Sequence, residues 1–166
     1  KVKNIFPITL VLNSAIYVNQ YTHNERVSPY FLLTNQLIYT HQLLLARKIN
    51  RNLTFQLTPT FIHFNLIDNS VNRNNDNYSI GIGGRQKITK RISINAETFL
   101  QAFHSLEQNV LSLGFDVETG GHIFQLHISN SPAMIEPSFI TNTYGSFLEG
   151  NIYFGFNISR VFNLKK

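Results

Sequence analysis

The chain has 166 residues, which is enough for one domain with a sizeable core, and we expect that domain to cover residues 1–166. It contains no run of about 18 apolar residues that could form a membrane-spanning helix. Charged residues make up only 14% of it, below the ~25% usual in soluble domains, and the net charge of +5 raises nucleic acid as a partner. The absence of cysteine excludes disulfides, thiolate metal sites and cysteine nucleophiles.

Alternation of apolar and polar residues with a period of two predicts about eight strands, most of them ten residues or longer. In chain order they run over Ile8–Asn19, Leu33–Ile49, Leu53–Leu66, Tyr78–Lys87, Ile92–Thr98, Leu111–Glu118, Phe124–Ser129 and Glu149–Leu164. Pro59 cannot donate to a strand ladder, and the alternation slips between Ile62 and Phe64. We therefore expect a bulge or a sheet edge in the third strand.

The most clearly specified element is the hairpin around Gly120-Gly121. A glycine pair between two alternating runs predicts a type I′ turn, because both central residues need a positive φ. Such a turn pairs Glu118 with Ile123, Val117 with Phe124, Asp116 with Gln125 and Gly114 with His127. A three-residue turn at 89–91 similarly pairs Lys87 with Ser93 and Arg85 with Asn95, and it places Glu97 diagonal to Arg85.

The connections alternate in length along the chain. Minimal turns fall at 50–52, 89–91 and 120–121, whereas long loops fall at 20–32, 67–77, 102–108 and 130–148. Short turns at one end and long loops at the other are typical of outer-membrane β-barrels. The basic excess lies at the short-turn end, on Lys1, Lys3, Arg47, Lys48, Arg51, Lys87, Lys90, Arg91, Arg160, Lys165 and Lys166. It forms a ring at one mouth, so we expect no nucleic-acid partner.

These patterns predict an all-β fold: an antiparallel up-and-down transmembrane β-barrel, or the C-terminal part of a larger one. In such a barrel the apolar face of each strand meets lipid and the polar face lines the lumen. The predicted lipid-facing residues are Leu111, Leu113, Phe115, Val117, Phe124, Leu126, Ile128, Ile152, Phe154 and Phe156. The predicted lumen charge cluster comprises Arg85, Lys87, Glu97, Asp116, Glu118 and His127.

Two roles are open for the lumen charge cluster. It is either a charged constriction that filters solutes or a structural ion-pair network that plugs the lumen. In both cases the carboxylates need balancing cations. We expect an Arg85–Glu97 contact, with Asp116 or Glu118 within salt-bridge reach of Arg85 or Lys87.

Other chemistry finds little support in the sequence. Gly81-Ile82-Gly83-Gly84 lacks the spacing of a phosphate loop and lies in a predicted strand. The six histidines show no metal-ligand spacing. Ser112, Ser129 and His127 are available, but no nucleophile elbow accompanies them. We therefore expect no enzyme activity, no catalytic residues, no metal and no cofactor.

Four stretches carry a resemblance to a known family: YTHQLLLARKINRNLTFQLTPTFIHFNLI, YSIGIGGRQKITKRISINAE, LSLGFDVETGGHIFQLHISNS and GNIYFGFNISRVF. They resemble an uncharacterised family of Bacteroidota outer-membrane β-barrel proteins. The resemblance implies a location in the bacterial outer membrane but no activity. Because members are longer, with strands before the point that matches Lys1, it also implies that the chain opens the C-terminal part of a larger barrel.

The predicted role is a passive channel or a structural barrel subunit, with the lipid bilayer of the outer membrane as its surroundings. One alternative is a scaffold or binding component whose long loops dock a protein partner in a membrane complex. Another alternative is a soluble β-sandwich or a lipocalin-like carrier. The sequence identifies no solute.

Overall fold

In the part of the chain that the structure describes, eight antiparallel strands form one sheet in which each strand pairs with its neighbours in the sequence. The computed structural model describes residues 7–19, 32–67, 74–102, 109–160 and 162. The strands are β1 (Ile8–Val18), β2 (Leu37–Lys48), β3 (Leu53–Phe64), β4 (Asp76–Lys87), β5 (Ile92–Gln101), β6 (Val110–Thr119), β7 (His122–Ser129) and β8 (Tyr153–Arg160). The predicted count of eight and the predicted antiparallel barrel class are confirmed.

The sheet curls into a half-barrel. Within the described ranges, β1 pairs with β2 and β8 pairs with β7, and β1 and β8 stand at opposite ends of the strand order. The larger barrel expected from the sequence stays a prediction. Most of three predicted long loops (residues 20–31, 68–73 and 103–108) and four lysines of the predicted basic ring (Lys1, Lys3, Lys165 and Lys166) lie outside the described residues.

The registers of the two best-specified hairpins are confirmed. Around the glycine turn, Glu118 pairs with Ile123 and Asp116 with Gln125. Gly120 has a φ of 50° and Gly121 a φ of 142°, both in the region that favours glycine. Arg85 pairs with Asn95 across the 89–91 turn. In these hairpins, turn length and alternation specify the same register.

The bulge expected near Pro59 is wrong. Gln42 pairs with Thr60 and Leu45 with Leu57, so two residues lie between the two pairs on each strand and no extra residue is inserted. The ladder between β2 and β3 is interrupted where Pro59 lacks an N–H, and it then resumes in the same register. The strand is also internal to the sheet and not at an edge.

Three predicted elements differ in the structure: two strands begin later than predicted, and one predicted loop contains a helix. Residues Leu33–Gln36 form a 3-10 turn, so β2 begins at Leu37. A second 3-10 turn at Phe147–Glu149 precedes β8, which begins at Tyr153. The predicted loop at 130–148 contains a short helix, α1 (Glu136–Thr141).

The distribution of burial is the reverse of that in a soluble protein. Among the described residues, thirteen polar or charged residues are buried but only six hydrophobic ones. On β4, Ser79 is 6% exposed, whereas its neighbours Tyr78 and Ile80 are 49% and 52% exposed. The concave face is therefore mostly polar and the convex face apolar. This single sheet with an exposed apolar face argues against the soluble sandwich and carrier alternatives.

Candidate functional site

Polar side chains cover most of the concave face. The buried ones on the strands are Thr40, Gln42, Thr58, Thr60, Asn77, Ser79, Ser93, Asp116 and Ser129. Several of them are joined across strands: Asn13 Nδ2 donates to Gln42 Oε1 at 3.2 Å, and Gln42 Nε2 donates to Thr60 Oγ1 at 3.3 Å. Such a surface is suited to a hydrated lumen.

Asp116 is the centre of the best-connected polar group on this face. Its carboxylate accepts hydrogen bonds from Asn95 Nδ2 at 2.8 Å, from Ser93 Oγ at 3.3 Å and from Gln125 Nε2 at 3.3 Å. Arg85 Nη2 lies 3.3 Å from Asp116 Oδ2, while Arg85 Nε donates to Ser93 Oγ at 3.0 Å. Four strands, β4 to β7, thus contribute to a single network.

The expected Arg85–Glu97 contact is wrong. Among the described carboxylates, the ion-pair partner of Arg85 is Asp116. The register explains this choice, because Asp116 pairs with Ser93, whereas Glu97 pairs with Gly83 and Ser112 further towards the long-loop end. The Arg85 side chain extends towards the short-turn end, where Ser93 and Asp116 supply its acceptors.

The remaining members of the lumen charge cluster are dispersed. Lys87 and Glu118 are exposed near the short turns. The His127 ring lies across Gly155 of β8, where a Cβ would come within 1.9 Å of Nε2. A cavity of about 130 Å³ separates this ring from the Asp116 network, and Glu97, Ser112 and Asn157 contribute to its lining. Of the six predicted residues of the lumen charge cluster, Arg85 and Asp116 therefore form an ion pair, and the other four lie around that pair without joining it.

Of the ten predicted lipid-facing residues, nine lie on the convex face of the strands and Ile152 immediately precedes β8. Eight of them are more than a third exposed, up to 85% for Phe154, and Val117 and Ile128 are partly covered by their neighbours. Near the long loops, this face also carries a row of rings. His41 stacks on Phe61 with centroids 6.3 Å apart, and Phe61 lies 5.1 Å from Tyr78. Ring side chains at the end of an apolar band are typical of a membrane interface.

The short-turn end of the sheet is basic. Its exposed cations in the described ranges are Arg47, Lys48, Arg51, Lys87, Lys90, Arg91 and Arg160. The turns that present them are built locally: Asn50 Oδ1 accepts the Asn52 and Leu53 N–H groups at 2.8 Å each. This part of the predicted basic ring is solvent-facing.

One element of the concave face was not predicted from the sequence. Residues 130–152, named here the inner segment, turn back onto the concave face at the long-loop end, and Ile140 of α1 is 1% exposed. It packs against Ile38, Ile62, Phe64, Phe99 and Val110. The signal was present as the slip in alternation near Ile62 and Phe64, which places apolar side chains on an otherwise polar face.

No helix in the described ranges has the length and apolar character needed to cross a bilayer. In the same part of the chain, no three His, Asp or Glu side chains come together as metal ligands would.

A curled antiparallel sheet with a polar concave face and an apolar convex face defines a membrane-bound β-barrel domain. The chain belongs to the family described as "Membrane bound beta barrel domain (DUF5777)", whose model matches residues 1–162. No match was found among curated proteins or among solved structures. The function of this family is unknown, so membership identifies the chain as a membrane-bound β-barrel domain and says nothing about its activity.

Proposed function

We propose that the protein is a passive channel of the bacterial outer membrane, with the concave face as the lining of its lumen. The observation that carries this proposal is the polar concave face, on which the described strands bury nine polar or charged residues against five hydrophobic ones. The arrangement of short turns and long loops supports an outer-membrane location, because bacterial outer-membrane barrels share it.

Within the described residues, β1 and β8 each pair on one side only, which supports a closed barrel that contains further strands. Unpaired backbone groups cost several kcal/mol each in hydrocarbon, so β1 and β8 both need partners in a membrane. β1 runs towards the long loops and β8 runs towards the short turns, since a long loop follows β1 and another precedes β8. An even number of added strands therefore keeps every pair antiparallel.

A structural barrel subunit is the second candidate function. The observation in its favour is that side chains fill parts of the concave face, through the Arg85–Asp116 network in the short-turn half and the inner segment near the long loops. Such a barrel would conduct poorly, as small filled barrels do. The scaffold alternative, in which long loops dock a protein partner, also predicts little or no ion current.

Single-channel recording separates these candidates. The full chain is purified in detergent, inserted into planar bilayers and compared with a heat-denatured sample of the same preparation. We expect steady ohmic current steps from the native sample alone. Native protein that inserts, as judged by protease protection in vesicles, yet carries no current would overturn the channel proposal and favour the structural subunit.

A further inference from the structure

We propose that the inner segment is a constriction loop that narrows the lumen at its long-loop mouth and sets the largest solute that passes. This inference rests on the proposed channel function. It concerns the size limit of the pore, which the polar lining alone does not determine.

The first support is a small apolar core between the segment and the barrel wall. Ile140 is 1% exposed and packs among wall residues that all point to the concave side. The ring of Phe139 meets Phe99 edge-on, with centroids 6.2 Å apart and an interplanar angle of 86°. Without the segment, the apolar side chains of Ile62, Phe64 and Phe99 would face a hydrated lumen, which is unfavourable.

Polar contacts attach the same segment to distant strands. Gln101 Nε2 of β5 donates to the Ile140 carbonyl oxygen at 2.7 Å, and the Tyr17 hydroxyl of β1 donates to the Glu136 carboxylate. At the base of the segment, Asn130 Nδ2 donates to the Gly145 carbonyl oxygen at 2.9 Å. The segment therefore spans the concave face from β1 to β5.

The helix depends on these contacts for its existence. α1 has six residues and no side-chain hydrogen bond at its N-cap, and a helix this short is unstable in isolation. Its position is consequently fixed by the wall, and weakening the wall contacts should release it. Met134, Tyr144 and Leu148, by contrast, are 72%, 66% and 99% exposed and make little contribution to the packing.

The depth of the contacts identifies the constricted end. Ile38 lies at the start of β2, Phe64 at the end of β3 and Phe99 near the end of β5, all beside the long loops. The short-turn half of the face keeps the Arg85–Asp116 network and the cavity beside it. The constriction is therefore asymmetric along the barrel axis.

The first experiment measures pore size. Residues 136–141 are replaced by six Gly and Ser residues, and conductance is recorded with poly(ethylene glycol) of graded size; Leu148→Ser is the matched control. The linker variant should conduct at least about two-fold more and admit larger polymers, because a constriction limits flow. The control should match the parent.

The outcomes separate the two proposals. Equal conductance and equal polymer cut-off in a conducting parent and its linker variant would overturn the constriction inference alone. If neither the parent nor the linker variant carries current, both the channel proposal and the constriction inference are overturned. A silent parent with a conducting linker variant would uphold the constriction in a fully closed form and reject a passive channel.

The second experiment needs no current. The cysteine-free chain allows single thiols to be placed at adjacent positions: Thr143 is fully buried, whereas Tyr144 is exposed. In vesicles, Thr143→Cys should react with a membrane-impermeant maleimide about ten-fold more slowly than Tyr144→Cys, because the segment must open first. Equal labelling rates in two folded variants would contradict the inward position of the segment.

Discussion

Arg85 and Asp116 lie two strands apart, yet their side chains meet over β5 with Nη2 and Oδ2 separated by 3.3 Å. The Asp116 side chain is 7% exposed and that of Arg85 is 42% exposed. A charged pair in this position would be costly if the face met lipid. On a polar concave face it is compensated by three further donors to Asp116.

Removing Arg85 should weaken the barrel more than removing a neighbouring surface charge. Arg85→Ala leaves Asp116 with neutral donors alone, and we expect the free energy of unfolding to fall by about 1–2 kcal/mol, near the low end for a charged hydrogen bond. Lys87→Ala, on the same strand and exposed, should change it by less than about 0.5 kcal/mol. Urea titration of protein folded in lipid vesicles measures both, and equal effects would contradict the network.

An arginine on the convex face should destabilise according to depth. Phe115 lies in the middle of β6, and Phe154 is the second residue of β8 at the long-loop end. We expect Phe115→Arg to cost about 2–4 kcal/mol and Phe154→Arg about 0–1 kcal/mol, because the penalty falls towards the interface. The leucine variants at both positions are the controls. The same titration applies, and a larger penalty at position 154 would place the bilayer midplane elsewhere.

Much of the sheet could be predicted from the sequence because its information is local. Alternation assigns each side chain to a face, and a turn of fixed length then sets the register, as between Asp116 and Gln125. The same locality explains the failure at Glu97. Strand pairing places it diagonal to Arg85, but the reach of the long arginine side chain decides which carboxylate it meets.

Helix α1 could not be predicted in this way. Its sequence is Glu-Pro-Ser-Phe-Ile-Thr, with two β-branched residues in six, which has no strong preference for helix. It forms because residues remote in the sequence, such as Phe99 and Ile62, provide its packing surface. The apolar side chains of Ile62 and Phe64 on the concave face were visible as a slip in alternation, which a bulge would also produce.

The stability of the protein should depend on the side-chain amide of Asn130. Its Oδ1 accepts the Leu111 N–H at 2.8 Å, while Nδ2 donates to the carbonyl oxygens of Asn109 at 3.0 Å and Gly145 at 2.9 Å. Asn130→Asp loses both donors and turns a carboxylate towards two carbonyl groups, so we expect about 2–4 kcal/mol of destabilisation. Asn52→Asp, in the exposed 50–52 turn, is the control, expected within about 0.5 kcal/mol of the parent. A stability of Asn130→Asp equal to that of the control would show that the bridge is not needed.

Gly81 should be the most sensitive glycine of β4, because the ring of Phe99 occupies the space of its missing side chain. A Cβ at Gly81 would lie 2.6 Å from Phe99 Cε1, whereas one at Gly83, on the same face, would have its nearest contact at 3.6 Å. Phe99 is 5% exposed and its ring contacts the ring of Phe139, so the Phe99 side chain has little space to move away from a new Cβ.

Gly81→Ala should therefore lower the free energy of unfolding by about 1–3 kcal/mol, as overpacking does, and should also loosen the inner segment. Gly83→Ala should be neutral or slightly stabilising, since alanine restricts the unfolded chain. Maleimide labelling of Thr143→Cys in each background provides the second readout, and it should accelerate with Gly81→Ala alone. Adding Phe99→Leu to Gly81→Ala should recover part of the stability, because the smaller side chain relieves the clash. If Gly81→Ala and Gly83→Ala behave alike in both measurements, the contact between Phe99 and the β4 backbone does not position the inner segment.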